Sequence, residues 1–414
     1  MRIKFVSQYF HPEPFSNANI ANSLLRAGHS LSVLTAVPNY GSETFLNGYS
    51  NTERRTDSWN GVPIERVWTF PRGKSQLTLL INYFVFVITA SWRAFRVKKG
   101  EHDLVFVSLL SPVMMAIPAI IIARRLNIPL VYWLQDLWPE SALMNTNITN
   151  PLVVKPLTWL CGWIYRQADL LLVQSEAFPA PVQGHGVPAG RIDVFPNTAP
   201  AHFRPMNRKE TERPDFLPRD GFNLMYAGNI GDSQGWDNIV ETGHGLRDRP
   251  DINFVFVGSG RALSHLKQRV DSEGLADRFT FAGRYDEEAM PGFFAHADAM
   301  LLTLQDFAIF DLTVPYKTHT YLASGRPIVG AIRGEGARII EAAGAGFTAE
   351  PADPEALAMA IKRMADTPFE TRQRMGLAGR AYFDENYNED RIFGKLRRWL
   401  EDIEGTGHCP EKRN

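Results

Sequence analysis

The chain has 414 residues, of which 44% are apolar and 21% are charged, and its formal net charge is −1. This composition is typical of a globular protein of two or three domains, and the balanced charge gives no indication of a nucleic-acid partner. Neither Cys161 nor Cys409 has a neighbour at metal-ligand spacing, so neither a disulfide framework nor a metal site is indicated. The N-terminus lacks the apolar core and cleavage site of a signal peptide, which predicts a cytoplasmic protein.

The first half of the chain alternates short apolar strands with helices. Strands are predicted at residues 3–7, 31–35, 64–68, 103–108, 129–134 and 170–174, with helices at 17–27 and from about 110 to 125. Apolar strands separated by helices indicate a parallel sheet that is covered on both faces. We therefore predict a first domain at residues 1–198, followed by a proline-rich linker at 199–221.

The second half repeats this alternation. Strands are predicted at residues 222–226, 254–257, 279–281, 300–303 and 327–330, a helix begins near 236, and an amphipathic helix covers about 390–404. The pattern predicts an α/β protein with two doubly wound, Rossmann-like parallel sheets. The second domain would span 222–388, with a final helix and tail at 389–414. Ligands bind such folds at the carboxyl ends of the strands, so we expect a cleft where the two sheets face each other.

Two apolar stretches raise the question of a membrane. Residues 77–92 are apolar with four polar interruptions and basic flanks on both sides. They are shorter than the roughly 20 residues of a spanning helix, which favours a helix lying at a lipid interface. A buried connecting helix and a spanning helix are the alternatives. Residues 104–123 are broken by serine and proline, which predicts a strand followed by a helix without any membrane contact.

Glycines directly follow strands of the second half. Gly228 and Gly231 follow one strand, and Gly258 and Gly260 follow the next. Glycine lets backbone N–H groups approach a phosphate closely, although many tight turns have the same pattern. Lys317 falls in the first turn of a helix that Pro315 introduces, where a cation opposes the helix dipole. An anionic diphosphate would explain that placement, and a solvated surface lysine is the alternative.

Polar and aromatic residues also follow strands of the first half. Asp136 and Trp138 come just after the strand at 129–134, where a carboxylate and a wall for a sugar ring would belong. A helix-capping aspartate and a core tryptophan are the alternatives. Glu13 and Asn17 lie in the loop after the first strand and are candidates for acceptor contacts. Asn17 is also a good N-cap for the helix that follows it.

Taken together, these motifs resemble glycosyltransferase family 4, whose members are retaining enzymes with the GT-B fold. The resemblance is strongest to the bacterial branch that builds O-antigen, colanic acid and capsular polysaccharides, including fucosamine-type transferases. It covers nearly the whole chain and is carried by residues 7–14 (SQYFHPEP), 28–29 (GH), 135–141 (QDLWPES), 226–231 (YAGNIG), 234–235 (QG), 257–260 (VGSG), 321–327 (YLASGRP) and 376–380 (GLAGR).

The resemblance implies a nucleoside-diphosphate sugar bound by the second domain, with UDP preferred, and a polyprenyl-linked saccharide acceptor bound by the first. The family needs neither a metal nor another cofactor, and its final helix crosses back to the first domain. We expect a peripheral protein on the inner face of the plasma membrane, with Lys317 and Asp136 as catalytic residues and Glu13, Asn17 and Trp138 as acceptor contacts. The expected donor contacts are Gly228, Asn229, Gly231, Gln234, Gly258, Gly260, Arg284, Val314, Pro315 and Thr320.

The chain departs from the family at two charged pairs. The Arg-x4-Lys pair that grips the diphosphate is replaced by Asn229 and Gln234, so Lys317 would supply the missing charge. The Glu-x7-Glu pair is replaced by Leu312 and Thr320, with Asp311 one residue out of register. These losses keep open a binding or scaffolding protein without activity, and other GT-B reactions such as epimerisation or phosphorolysis. A nicotinamide enzyme is disfavoured because the first strand is not followed by Gly-x-Gly-x-x-Gly.

Overall fold

The computed structural model describes residues 1–13, 15–40, 42–144 and 148–406. The chain divides into two compact units, of which unit 1 contains Met1–Pro196 with the chain from Phe393 onward, and unit 2 contains Asn197–Ile392. Each unit is built around one sheet of mainly parallel strands with helices packed against it. The predicted α/β class is confirmed.

The sheet of unit 1 has eight strands. Its order is β3-β4-β2-β1-β5-β6-β7-β8, and every neighbouring pair is parallel except β3 with β4. The strands are β1 (Arg2–Val6), β2 (Ser30–Ala36), β3 (Thr56–Trp59), β4 (Val62–Val67), β5 (Leu104–Leu109), β6 (Leu130–Leu134), β7 (Leu170–Val173) and β8 (Ile192–Val194). The six predicted strands are present within two residues at each end. Only the edge strands β3 and β8 were missed.

The helices of unit 1 connect these strands. They are α1 (Asn17–Arg26), α2 (Gln76–Ala94), α3 (Ile117–Leu126), α4 (Glu140–Met144), α5 (Pro151–Tyr165) and α6 (Pro179–Gly184). The stretch at 104–123 forms β5, a short 3₁₀ turn at Val113–Ala116 and most of α3, as the sequence predicted. It therefore needs no membrane.

Unit 2 has a six-stranded sheet in the order β11-β10-β9-β12-β13-β14, with all pairs parallel. The strands are β9 (Phe222–Ala227), β10 (Ile252–Val257), β11 (Phe279–Gly283), β12 (Ala299–Thr303), β13 (Ile328–Ala331) and β14 (Gly346–Ala349). Only the edge strand β14 was missed. Residues 199–221 form no helix or strand, but Phe203 and Leu217 are buried in the core of unit 2 rather than in a free linker.

The helices of unit 2 cover both faces of this sheet. They are α7 (Trp236–Gly245), α8 (Leu263–Ser272), α9 (Met290–His296), α10 (Ala308–Leu312), α11 (Tyr316–Ala323), α12 (Gly334–Ala342), α13 (Pro354–Asp366) and α14 (Phe369–Asn386). The last helix, α15 (Glu389–Thr406), starts in unit 2 and continues in unit 1, where the Trp399 indole donates a hydrogen bond to the Asp193 carboxylate at 3.1 Å. The predicted tail beyond it, with Cys409, lies outside the described residues.

Helix α2 presents two different faces. One face packs into unit 1, where Phe86 and Ala90 are buried and the amide of Asn82 bridges the side chains of Gln8 and Asn39. Its other face is exposed and apolar. Among the described residues, α2 is the one helix whose length and composition would allow a membrane crossing. A helix whose buried face is hydrogen-bonded to the loops after β1 and β2 cannot be surrounded by lipid, so the spanning alternative does not fit.

Helix α14 packs very closely against the end of α11. A Cβ atom on Gly376 would lie 2.1 Å from the carbonyl oxygen of Gly325, and one on Gly379 would lie 2.9 Å from Leu322 Cδ2. Arg380 also donates a 2.7 Å hydrogen bond to the carbonyl of Ala323, at the last turn of α11. The glycines of the 376–380 motif therefore allow the close packing that holds α11, the helix that contains Lys317, in its position.

We expect Gly376→Ala to lower the free energy of unfolding by about 3 kcal/mol, because the added methyl group collides with backbone that cannot yield. Chemical denaturation of the purified protein measures this. Gly292→Ala is the matched control, since it also lies in a helix and its Cβ would meet nothing within 4 Å. Equal stability of the two variants would contradict the close packing of α14 on α11.

Candidate functional site

In unit 2, the candidate site is centred on Lys317. This lysine is the second residue of α11, and its ammonium group lies 5.0 Å from the ring centroid of Tyr226, in β9. A Cβ atom on Gly228 would lie only 2.6 Å from Lys317 Cε. The side chain therefore passes through the space that the absent Cβ leaves open at the end of β9. Tyr226 was not among the predicted site residues.

Among the residues that the structure describes, Lys317 has no ion-pair partner. Burial lowers its pKa to about 8. It stands at a helix start where Pro315 is the N-cap and offers no capping side chain. Unpaired backbone N–H groups and a helix dipole favour an anion at such a position. A phosphate group at this position would supply a counter-charge for the ammonium and accept hydrogen bonds from the backbone N–H groups.

The predicted glycines have a different role from the one expected. The N–H groups of Gly228, Gly231 and Gly258 donate within the protein, to Val257 O at 2.8 Å, Gln234 Oε1 at 2.9 Å and Gly283 O at 2.7 Å. Cβ atoms on Gly258 and Gly260 would lie 1.9 Å and 2.2 Å from the carbonyl oxygens of Gly228 and Ile230. Glycine is thus required because the loops after β9 and β10 pack backbone against backbone, and not because these three N–H groups are free for a phosphate.

The two neutral residues at the family's Arg-x4-Lys positions differ in their surroundings. Asn229 is exposed, and its carbonyl accepts a hydrogen bond from the hydroxyl of Tyr226. The side chain of Gln234 is used internally, where its oxygen accepts from the Gly231 N–H. Lys317 thus places a cation at the end of β9, where neither Asn229 nor Gln234 carries a charge.

The remaining predicted donor contacts lie in α11, just before it, and after β11. Thr320 is buried, and its hydroxyl donates to the carbonyl of Lys317 at 3.0 Å, within the helix. Asp311, the carboxylate one residue out of register, pairs with Arg333 at 2.8 Å. Val314 is buried in the core and Arg284 is exposed after β11. The position that carries glutamate in the family thus offers no free carboxylate here.

In unit 1, Asp136 is linked to Trp138 through Ser111. The backbone N–H and hydroxyl of Ser111 donate to the Asp136 carboxylate, and the Trp138 indole N–H donates to Ser111 Oγ at 2.7 Å. Burial raises the pKa of Asp136, and the bonds from Ser111 oppose that rise. The capping alternative for Asp136 is wrong, because α4 begins only at Glu140. Trp138 is half-buried rather than a core residue. Sequence reasoning missed Ser111.

Glu13 and Asn17 both hold the loop that follows β1. Glu13 is buried and accepts hydrogen bonds from the N–H groups of Asn39 at 2.9 Å, Tyr40 at 2.8 Å and Phe10 at 3.3 Å. Burial raises the pKa of Glu13 to about 7, against the effect of these three donors.

The reading of Asn17 as an N-cap is wrong. Ser16 is the N-cap of α1, and the buried Asn17 amide donates instead to Ser7 Oγ at 3.1 Å and to the Tyr9 carbonyl at 2.6 Å. The side chain thus turns back toward the residues that follow β1 and donates to two buried acceptors there.

A cation beside the Glu13 loop was also missed from the sequence. Arg72 donates to the hydroxyl of Tyr9 at 2.5 Å, and its guanidinium lies 4.9 Å from the Tyr40 ring centroid and 5.9 Å from that of Tyr83. These residues are far apart in the chain, so no local pattern connects them.

As for metals, the part of the chain that the structure describes has no group of three His, Cys, Asp or Glu side chains suited to an ion.

Comparison with known families divides the chain in the same way. Residues 16–198 match the family described as "Glycosyl transferase 4-like domain", and residues 221–367 match "Glycosyl transferases group 1". A protein of Pseudomonas aeruginosa named as a glycosyltransferase, WbjE, is 23% identical over 337 residues, which cover 78% of this chain and 81% of its own. WcaI of Escherichia coli K12, named as a colanic acid biosynthesis glycosyl transferase, is 23% identical over 394 residues, covering 92% of this chain and 93% of its own.

Solved structures share the fold over the whole length. Sucrose-phosphate synthase of Thermosynechococcus elongatus has a TM-score of 0.76 at 16% identity and covers 98% of this chain and 99% of its own. HepE of Anabaena, solved in complex with UDP and glucose, has a TM-score of 0.69 at 15% identity, covering 97% and 99%. The family matches, the relatives and the fold agree with the sequence motifs: the chain is a GT-B protein of glycosyltransferase family 4, in the bacterial polysaccharide branch.

Proposed function

We propose that this glycosyltransferase moves a sugar, with retention of configuration and without a metal, from a UDP-sugar to a polyprenyl-linked saccharide during the synthesis of a bacterial surface polysaccharide such as O-antigen or capsule. The observation that carries the donor assignment is the half-buried Lys317 at the start of α11, whose ammonium group pairs with no carboxylate of the described part of the chain. The transferred group would be a hexose or an N-acetylaminosugar.

In this proposal Lys317 and the start of α11 bind the diphosphate and stabilise the negative charge that grows on it as the sugar leaves. Fixed charges in a site with little water act strongly on such developing charge. The incoming hydroxyl would be assisted by the leaving diphosphate on the same face of the sugar. UDP is the preferred nucleotide because HepE, which shares the fold, is solved with UDP, with UDP-glucose, and with UDP and glucose.

The acceptor belongs to unit 1 in this proposal. Asp136 would orient the acceptor hydroxyl, and Ser111 fixes the carboxylate for that role. Trp138 would offer a flat wall to a sugar ring, since its indole N–H is held by Ser111 and the residue is half-buried. Glu13 acts on the acceptor through the shape of the loop that it holds, rather than through direct contact.

A polyprenyl-linked acceptor requires the enzyme to work at a membrane. The exposed apolar face of α2 supports a peripheral position on the inner face of the plasma membrane, with the helix lying in the lipid interface. WcaI, which matches nearly the whole chain, is named for colanic acid biosynthesis, a polysaccharide pathway.

Replacing Lys317 with alanine removes the counter-charge of the diphosphate, so we expect the transfer rate to fall on the order of 100-fold. Transfer from radiolabelled UDP-sugars to membrane acceptor measures it. Lys267→Ala is the matched control, because Lys267 also lies over an aromatic ring of unit 2, 5.4 Å from the Phe281 centroid. A Lys317→Ala enzyme of normal activity would rule out this role. Nucleotide binding without turnover, unaffected by Lys317→Ala, would indicate an inactive binding protein.

The affinity for UDP should depend on pH through Lys317. Its pKa is lowered to about 8, so the group is charged below that pH and loses its proton above it. An anion binds the charged form, and affinity should therefore fall between pH 7 and 9, approaching a tenfold loss per pH unit above the pKa. Isothermal titration calorimetry measures this. Lys317→Arg keeps its charge and should remove the pH dependence, whereas an unchanged profile in that variant would exclude Lys317 as its source.

Asp136→Asn separates the acceptor site from the donor site. We expect transfer to fall by about 100-fold or more, while UDP affinity stays within about twofold of the original. Asp193→Asn is the control, because this carboxylate of unit 1 accepts a hydrogen bond from Trp399 that an amide oxygen can also accept. If Asp136→Asn weakened UDP binding as strongly as it weakened transfer, the assignment to the acceptor would be wrong.

A further inference from the structure

The exposed face of α2 carries more large apolar side chains than a helix face in water normally does. Phe84 and Ile88 are 53% and 66% exposed, while the opposite face buries Phe86 together with Ala90 and Ala94. Burying large apolar side chains is what stabilises a soluble fold, so a water-facing helix normally turns its largest apolar residues inward. The outward residues recur every three or four positions and form one stripe: Leu77, Leu80, Ile81, Phe84, Ile88, Trp92 and Phe95.

A second helix of unit 1 carries a similar stripe. In α5, Leu152 is 83% exposed and Trp159 is 66% exposed, with the exposed Lys155 and Pro156 between them on the same side. Lys155 is the only charged residue between 148 and 165.

Both helices lie on the same face of the unit 1 sheet. The connections from β4 to β5, which contains α2, and from β6 to β7, which contains α5, move in the same direction across parallel strands. Such crossovers are almost always right-handed, so helices of connections that run in one direction cover one face. The two helices also both contact the 3₁₀ turn at Val113–Ala116.

The charges around the two stripes are mostly positive. No charged residue occurs between 76 and 92, and the guanidinium of Arg96 lies 3.4 Å from the Trp92 ring centroid at the end of the stripe. Lys98 and Lys99 follow and are exposed, as is Lys155 on α5. Aromatic rings beside basic side chains are typical of surfaces that meet anionic headgroups.

We propose that α5 and α2 together form a two-helix docking surface that seats unit 1 on a bilayer containing anionic lipid. This inference rests on the membrane attachment in the proposed function and adds α5 as its second contact, with Leu152 and Trp159 entering the headgroup boundary and Lys155 binding a lipid phosphate. Two parallel contacts fix the orientation of the unit, which a single helix does not.

Flotation with lipid vesicles tests this proposal on the full-length protein. The variants are Leu152→Glu with Trp159→Glu on α5, and Leu80→Glu with Phe84→Glu on α2. The control is Met359→Glu with Leu377→Glu, which changes two exposed apolar residues of unit 2. On vesicles of equal parts phosphatidylcholine and phosphatidylglycerol, we expect each helix pair to weaken binding by at least about tenfold and the control to bind normally. Pure phosphatidylcholine should bind the unchanged protein more weakly.

Two results would overturn the proposal. One is normal binding by the α5 pair while the α2 pair fails, which would leave α2 as the sole contact. The other is a stable dimer without lipid that the α5 pair dissociates, with no vesicle binding, which would make the stripe an interface between two copies. UDP affinity, measured in parallel, should be unchanged in every variant. Loss of vesicle binding with normal UDP affinity therefore tests the docking surface separately from the donor site.

Discussion

The half-buried ammonium group of Lys317 has no carboxylate partner within residues 1–13, 15–40, 42–144 and 148–406, and the candidate donor site is arranged around this charge. Burial disfavours the charged form, which is why its pKa is lowered to about 8. The side chain packs over the ring of Tyr226 and occupies the space that a Cβ atom on Gly228 would fill. An anion at the start of α11 would supply the missing counter-charge. Its attraction to the ammonium group would offset the unfavourable free energy of burying that charge.

The neighbouring polar side chains explain why no described residue near Lys317 offers it a counter-charge. Gln234 holds the Gly231 N–H, Thr320 bonds the backbone of its own helix, and Asp311 is paired with Arg333. Each replaces or adjoins a charged position of the wider family, and each is satisfied inside the protein. The two departures from the family pattern are therefore structurally stable substitutions, and they leave Lys317 as a cation beside Tyr226 and Gly228.

The central strands could be predicted from the sequence because parallel strands buried on both faces are continuous apolar runs. The missed strands β3, β8 and β14 all lie at sheet edges, where such a run is not needed. The position of Lys317 in the first turn of α11 was also predictable. The hydrogen bonds of the glycine N–H groups could not be predicted, and neither could the bond from Asn17 to the Tyr9 carbonyl. Both depend on carbonyl groups that only the folded chain brings close.

The orientation of helix α2 could not be predicted from its apolar residues either. A run without charges shows no polar face, so periodicity could not separate an interfacial helix from a buried one. The structure shows that one side of the helix is buried, where Asn82 forms hydrogen bonds with Gln8 and Asn39, and that the other side is exposed. Phe84 and Ile88 lie on the exposed side. A buried polar contact thus helps to fix the orientation of the helix, with Phe86 turned inward beside Asn82 and a row of large apolar side chains turned outward.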